Sequence, residues 1–130
     1  MNDPLSLLPP GITLDYLCKL VNLDPIWNIC VMYDSAMLVE FAAQVEWDHA
    51  VHRATIYINA NYHFSGAALA RAITHELLEL ATVDTWLIFK QGNHPPELEQ
   101  RYRNARDKQI DQRMSTMPFW CAYDVPVARS

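Results

Sequence analysis

The sequence lacks the segments that would carry a protein into or across a membrane. No apolar run reaches the roughly 18 residues that a membrane-spanning helix needs. The first ten residues, MNDPLSLLPP, contain an acid and several prolines, but no basic region followed by an apolar stretch. They therefore do not resemble a signal peptide. We expect a cytoplasmic protein that makes no contact with a membrane.

Cysteine is scarce, and so are the motifs of several enzyme classes. The three cysteines, Cys18, Cys30 and Cys121, stand far apart and none belongs to a CxxC pair. Because their number is odd, a complete disulfide framework is impossible, and we expect buried thiols in a reducing compartment. The sequence also has no glycine-rich phosphate loop, no GxSxG and no cysteine-nucleophile motif.

Positive charge is also in short supply. Ten Lys and Arg residues against 15 Asp and Glu residues give a formal net charge of -5. Nucleic-acid binding needs a basic face for the phosphates. Five of the ten basic residues lie within 101–113, but they are interleaved with acids, which indicates a solvated helix face. We therefore expect no nucleic-acid partner.

The composition that remains is typical of one globular domain spanning residues 1–130, with 51% hydrophobic and 19% charged residues. Segment 34–46 is ambiguous between helix and strand, and we favour a strand that begins near Ala42. Apolar spacing predicts a short helix capped by Thr13, strands at 27–33, 42–48 and 53–59, a long helix at 66–90 and a last helix at 97–117. This order predicts an α+β fold, with helices on one face of a small antiparallel sheet.

The long predicted helix, capped by Ser65, has two faces of different character. The core-facing stripe is apolar and consists of Leu69, Ile73, Leu77, Leu80, Val83 and Leu87. The neighbouring stripe contains small residues together with His75 and Glu79, which are four residues apart and project from the same side. Two donors at this spacing can bind one metal ion. Glu76 projects about 100° away, near enough to act on water at that ion.

The segment at the centre of this helix reads HELLE, so that a glutamate stands where the HExxH helix of metallohydrolases has its second histidine. A carboxylate is an accepted zinc ligand, and as a harder ligand it shifts the preference toward other divalent ions. The alternative is an ordinary helix with a partly buried histidine and surface glutamates. The motif alone leaves both interpretations open.

The strands WNICV and IYIN followed by AITHELLEL resemble the minimal gluzincin-like metallopeptidases, which are zincins encoded by bacteria and their phages. The resemblance covers residues 27–114, and it is specific at AITHELLEL and generic in the strands. It implies a zincin-type active-site helix, zinc as the cofactor, and a peptide or protein substrate held along strand 53–59. By position it implies His75 as the first metal ligand, Glu79 in the place of the second, and Glu76 as the general base.

The same resemblance implies an acidic third ligand on the last helix. From Leu77 to Lys90 the long helix rises about 20 Å at 1.5 Å per residue. An antiparallel helix that starts near Pro96 returns to the same level at residues 106–109, where Asp107 is the only acid. We therefore expect Asp107 to be the third metal ligand. The alternative role for Asp107 is an ordinary ion pair with Arg103.

Other polar clusters are weaker candidates. Asp48, His49 and His52 could chelate a metal from a turn, although a solvated hairpin tip is the commoner role of such a cluster. In zincins a histidine or tyrosine outside the ligand set often stabilises the oxyanion, and His94 or Tyr102 could do so here. The spacing selects neither of them.

Two functions follow from these expectations. The first is a zinc-dependent peptidase-like hydrolase in which Glu76 takes the proton of the attacking water. The second is a zincin-like fold that has lost its metal and serves as a binding or accessory protein of a bacterium or a phage. Glu79, in the place of a histidine, is the feature that favours the second.

Overall fold

The structure is a computed structural model that describes residues 3–117 and 127–128. Within these residues the chain forms one 3₁₀ helix, four α-helices and five strands. In chain order they are the 3₁₀ helix Pro4–Leu7, α1 (Leu14–Leu20), β1 (Asn28–Asp34), β2 (Ala43–Asp48), β3 (Arg53–Asn59), β4 (Tyr62–His63), α2 (Gly66–Ala81), α3 (Val83–Gln91), α4 (Pro96–Ser115) and β5 (Val127–Ala128).

The three longer strands form one sheet in the order β1–β3–β2. The central strand β3 is parallel to β1 and antiparallel to β2, so that Ile56 lies between Val31 and Val45. The expectation of an antiparallel sheet is therefore wrong for the β1–β3 pair. The reason is the connection 35–42, because eight residues easily span the roughly 10 Å across two strand spacings. β1 and β2 can then flank β3 instead of pairing with each other.

Asn59, at the end of β3, holds this connection in place. Its side chain is fully buried, and its amide nitrogen donates hydrogen bonds to the carbonyls of Leu38 at 3.2 Å and Phe41 at 2.7 Å. The amide of Asn61 donates to the carbonyl of Ser35 at 3.0 Å. A buried amide satisfied in this way fixes the backbone that it contacts. The connection is therefore held in a defined position where it enters β2, next to the site described below.

One face of the sheet packs against helices and supplies the core. On β3, Ala54, Ile56 and Ile58 are buried, whereas Thr55 and Tyr57 are only partly buried. This alternation is typical of a strand with one face in the core. The main buried cluster draws on α1, β1, β3, α2 and α4, through Leu17, Val21, Val31, Ile56, Ile58, Leu69, Ile73, Leu77, Leu78, Ile110 and Met114. The prediction of an α+β fold is confirmed.

The long helix predicted for 66–90 is two helices, α2 and α3, which meet at Thr82. The hydroxyl of Thr82 donates a hydrogen bond to the carbonyl of Glu79 at 2.7 Å, and the backbone N–H of Thr82 donates to the same carbonyl at 3.0 Å. These bonds close the last turn of α2 and take the place of the regular helical bond. Apolar spacing continues across Thr82, which is why the periodicity did not reveal the break.

The predicted helix caps agree with the structure, whereas the predicted burial of Cys30 does not. The caps are confirmed, because Thr13 accepts a hydrogen bond from the N–H of Tyr16 and Ser65 accepts one from the N–H of Ala68, both at 3.1 Å. Cys30 is exposed rather than buried.

Cys18 is a partly buried free thiol, and Cys121 lies outside the described residues. The short β4–β5 pair was not predicted. In the part of the chain that the structure describes, no helix has both the length and the apolar character needed to cross a membrane.

Candidate metal centre

Helix α2 positions His75, Glu76 and Glu79 on one continuous segment. It runs without interruption from Gly66 to Ala81, so His75 and Glu79 lie one turn apart on the same side, as predicted. The helix is fixed in its rotation because Leu69, Ile73 and Leu77 on its other side are fully buried. The core therefore decides which way the polar residues point.

Glu76 is the unusual member of this group. Its residue surface is only 5% exposed, and it is the one charged residue among the buried polar residues of the described chain. Burying a carboxylate costs free energy unless a partner compensates for the lost water. The nearest partner is His75, whose Nδ1 lies 3.4 Å from Oε2 of Glu76. This contact is long for a hydrogen bond, and the carboxyl group of Glu79 also forms a hydrogen bond with Glu76.

The three side chains bring their donor atoms together. One nitrogen or oxygen from each of His75, Glu76 and Glu79 lies within 4.8 Å of the others. Among the described residues, these three form the one group of histidine, cysteine and acidic side chains that is close enough to hold an ion. The spacing within HELLE predicts this group as a unit, and the structure brings all three side chains together.

The close packing of two carboxyl groups changes their acidity. Burial, followed by the negative charge of Glu76 and a hydrogen bond with it, raises the pKa of Glu79 to about 7, against the opposing charges of His75 and Arg106. A hydrogen bond with Glu76 raises the pKa of His75 against the effect of burial. Without a cation, the cluster therefore retains protons near neutral pH that free side chains would lose.

The donor set fits a divalent cation. An imidazole and two carboxylates are ordinary zinc ligands, and a cation would compensate both the buried charge of Glu76 and its repulsion with Glu79. The fit does not select zinc over other divalent ions, because two oxygen donors are also suitable for harder ions. The residues present are consistent with the expected cofactor.

The cluster opens into a cleft of about 630 Å³ between α2 and β2. The strand contributes four consecutive residues, 43–46, and α2 contributes Arg71 and Ala72 in addition to the cluster. Consecutive strand residues point to opposite faces, so the cleft borders the edge of β2 rather than a face of the sheet. The expectation that β3 borders the cleft is wrong, because β3 is central and already paired on both sides.

Asp107, expected as the third ligand, does not reach the cluster. Its side chain is 59% exposed and pairs with Arg106 at 3.2 Å rather than with Arg103, and it is not part of the donor group that His75, Glu76 and Glu79 form. From Tyr102 onward, the buried or partly buried residues of α4 are four apart, namely Tyr102, Arg106, Ile110 and Met114. Asp107 lies beside this row, so its carboxylate points to solvent.

Two residues of α4 that the sequence analysis missed lie near the cluster instead. Asp111 lines the cleft, and its charge is the smallest of the effects that raise the pKa of His75. Arg106 lines a small neighbouring cavity together with Glu79 and Trp86. The row at i, i+4 from Tyr102 to Met114 was visible in the sequence and would have placed Arg106, rather than Asp107, toward α2.

The weaker candidates lie away from the cleft. Nε2 of His49 is 2.8 Å from Oδ1 of Asp84 on α3, and the ring of His52 packs edge-on against Trp27. The side chain of Asp48 accepts a hydrogen bond from the backbone N–H of Ala50, in the same turn, at 3.0 Å.

The two oxyanion candidates, His94 and Tyr102, stack on Phe89 with ring centres 4.2 Å and 4.5 Å away. Neither His94 nor Tyr102 is among the residues that line the cleft. The structure therefore gives these two residues a packing role between α3 and α4.

Comparison with known protein families, with curated proteins and with solved structures gives no significant match for this chain. The resemblance to the gluzincin-like metallopeptidases therefore stays a prediction that depends on the motif.

Proposed function

We propose that this protein is a divalent-metal-dependent hydrolase that cleaves peptide bonds, with zinc as the expected metal. The observation that carries the proposal is the convergence of His75, Glu76 and Glu79, whose donor atoms lie within 4.8 Å of one another at an open cleft. A perturbed pKa at residues lining a cleft also supports a functional site.

His75 and Glu79 would hold the metal, because their i, i+4 spacing turns both donors to the same point above α2. The metal supplies Lewis-acid polarisation of the scissile carbonyl and of water. Glu76 acts as the general base: it takes the proton of the attacking water and passes it to the leaving amine. Its position favours this role, because Glu76 lines the cleft beside both proposed ligands.

The edge of β2 supports a peptide as the substrate. An edge strand presents unpaired N–H and C=O groups, and an extended peptide can add to it as a further strand. Residues 43–46 of β2 line the cleft opposite the cluster. A peptide bound to this edge would pass across His75 and Glu76. The substrate-binding strand is therefore β2 in this proposal, in place of β3.

Zinc titration by calorimetry tests the metal site. Glu79→Ala should weaken binding sharply, and Glu79→His should tighten it, because imidazole nitrogen suits zinc better than a single carboxylate oxygen does. Glu97→Ala, which removes an exposed glutamate from α4, is the matched control and should bind zinc as the original protein does. Equal binding by all four proteins, or binding by none, would show that the cluster is not a metal site.

The second candidate function, a fold without catalysis that binds a partner, is favoured by two observations. Glu79 replaces the second histidine, and the third ligand expected from α4 is not part of the cluster. Elemental analysis of protein purified without chelators separates the two functions. Bound metal at one ion per chain supports the hydrolase, and its absence supports the binding protein.

A further inference from the structure

Arg71 is a basic residue in an acidic cleft, and it has no partner there. It lies on α2 one turn before His75 and is the only lysine or arginine among the described residues that line the cleft. Its Nε is buried and has no hydrogen-bond partner. Within the described part of the chain, no ion pair of Arg71 is found either.

A buried donor without a partner is rare in folded proteins, because it gives up its bonds to water and gains none in return. In the described residues, Arg71 Nε is the only side-chain atom in this condition. Acidic residues are present in the same cleft, including Glu40 and Glu46, yet none of them pairs with it. Arg71 as a whole is only partly buried and lines the cleft, so the remaining donors of its guanidinium can meet a ligand there. Their planar arrangement matches a carboxylate.

We propose that Arg71 binds the carboxylate of the substrate, and that the substrate is a peptide whose free C-terminus lies in the cleft. This inference rests on the proposed function, because it names the substrate class of the same site. The bond cleaved is the last peptide bond. Water adds its oxygen to the carbonyl carbon, the C–N bond breaks, and the proton held by Glu76 passes to the amine of the released amino acid.

The spacing along α2 fits a C-terminal carboxylate. Arg71 and His75 are four residues apart, a rise of about 6 Å, and both side chains lean toward the start of the helix, which keeps that separation. One extended residue spans about 3.5 Å, and a guanidinium–carboxylate hydrogen bond adds about 2.8 Å. A peptide bond at the cluster and a carboxylate on Arg71 are therefore separated by one residue.

The acidic residues of the cleft favour a peptide that binds with its C-terminal carboxylate on Arg71. Glu40 and Glu46 on the strand side and Asp111 on α4 surround the ligand with negative charge. They disfavour a carboxylate at any position other than the guanidinium of Arg71. A peptide bound in the reverse direction, or displaced by one residue, would place its terminal charge against these acids.

The test compares three probes: N-acetyl-trialanine, its C-terminal amide, and the amide of N-acetyl-dialanyl-glutamate. Binding is followed by NMR titration of metal-free and zinc-loaded protein, so that the readout does not depend on turnover. The original protein should bind the free acid about 10- to 100-fold more tightly than the trialanine amide, as expected for a hydrogen-bonded charge pair. Tight binding of the glutamate amide would show that the site recognises a side-chain carboxylate, and it would overturn the assignment of Arg71 to the C-terminus of the peptide.

Two variants and one control assign the preference to Arg71. Arg71→Gln should bind acid and amide equally, and Arg71→Lys should retain part of the preference, because it keeps the charge and loses the planar fork. Arg101→Gln, which changes an exposed arginine on α4, should behave as the original protein does. Thermal melting should show both Arg71 variants folded, since Nε of Arg71 has no hydrogen-bond partner that the change would remove.

The outcomes separate this inference from the proposed function. Equal binding of acid and amide by the original protein, no binding of any probe, or a preference that survives in Arg71→Gln would overturn the role of Arg71. Zinc binding could still hold in each of these cases. A preference that disappears in Arg71→Gln, in a protein that binds no zinc, would retain the carboxylate site and overturn the hydrolase.

Discussion

Zinc and a proton should compete for Glu79, and this competition predicts a steep pH dependence of zinc binding. Burial and the neighbouring carboxylate of Glu76 raise the pKa of Glu79 to about 7. With that pKa, about one tenth of the molecules carry an ionised Glu79 at pH 6, and about nine tenths do at pH 8. A metal binds the ionised form, so the apparent zinc affinity should rise about tenfold across this interval from Glu79 alone.

His75 adds to the same trend. Its pKa is raised, chiefly by the hydrogen bond with Glu76, so an imidazole proton must also leave before the nitrogen can bind a metal. Calorimetric titration at pH 6, 7 and 8, at constant ionic strength, measures the affinity. Repeating the titration at pH 7 in buffers of different ionisation enthalpy counts the protons that zinc displaces.

The variant Glu79→Gln isolates the glutamate. It removes the titrating carboxyl group and keeps the shape of the side chain, so its zinc affinity should be weaker throughout and should rise less steeply with pH. The exposed control Glu97→Gln should keep the full slope. A flat affinity between pH 6 and pH 8 in the original protein, or the same slope in Glu79→Gln, would refute the assignment of Glu79 as a ligand.

Three further predictions concern other residues. Glu76→Gln should leave the zinc content unchanged and lower hydrolysis of a peptide pool by about 10²- to 10⁴-fold, and undiminished cleavage would exclude a general base at Glu76. Asp111→Asn should change zinc affinity about two- to fivefold through its charge, whereas Asp107→Asn, whose side chain points to solvent, should not; the reverse result would restore Asp107 to the site. Gly66→Ala should lower the free energy of unfolding by about 1–3 kcal/mol, measured by denaturant titration, because its new methyl group would lie 2.7 Å from the carbonyl oxygen of Leu7; unchanged stability would contradict this contact.

The elements of the fold could be predicted wherever the signal is local. Strand 53–59 and the two helix caps agree with the structure, because alternation of apolar residues and a hydroxyl before a helix are encoded within a few residues. The break at Thr82 could not be predicted from periodicity. It depends on a side-chain hydrogen bond to Glu79, and the apolar spacing of the core stripe continues on both sides of it.

The relative directions of the strands could not be predicted from local patterns in the sequence. β1 and β2 are joined by eight residues, and this length permits either a direct antiparallel pair or a passage across the end of β3. In the structure the connection crosses the end of β3, where two hydrogen bonds from the buried side chain of Asn59 hold it. Since those bonds join residues 18 and 21 positions apart, no pattern within a strand could indicate them.

In the candidate site, the positions of residues within one helix could be predicted, whereas those that depend on the packing of a second helix could not. His75, Glu76 and Glu79 share one helix, so the angle of 100° per residue fixes their relative positions once the helix exists. Asp107 belongs to a second helix, whose level along α2 was predictable from its rise but whose rotation was not. An error of one residue in the facing row turns a side chain by 100°, from the cluster to solvent. The row that faces α2 contains Arg106, whose positive charge lowers the pKa of Glu79 and favours the ionised form that a metal needs.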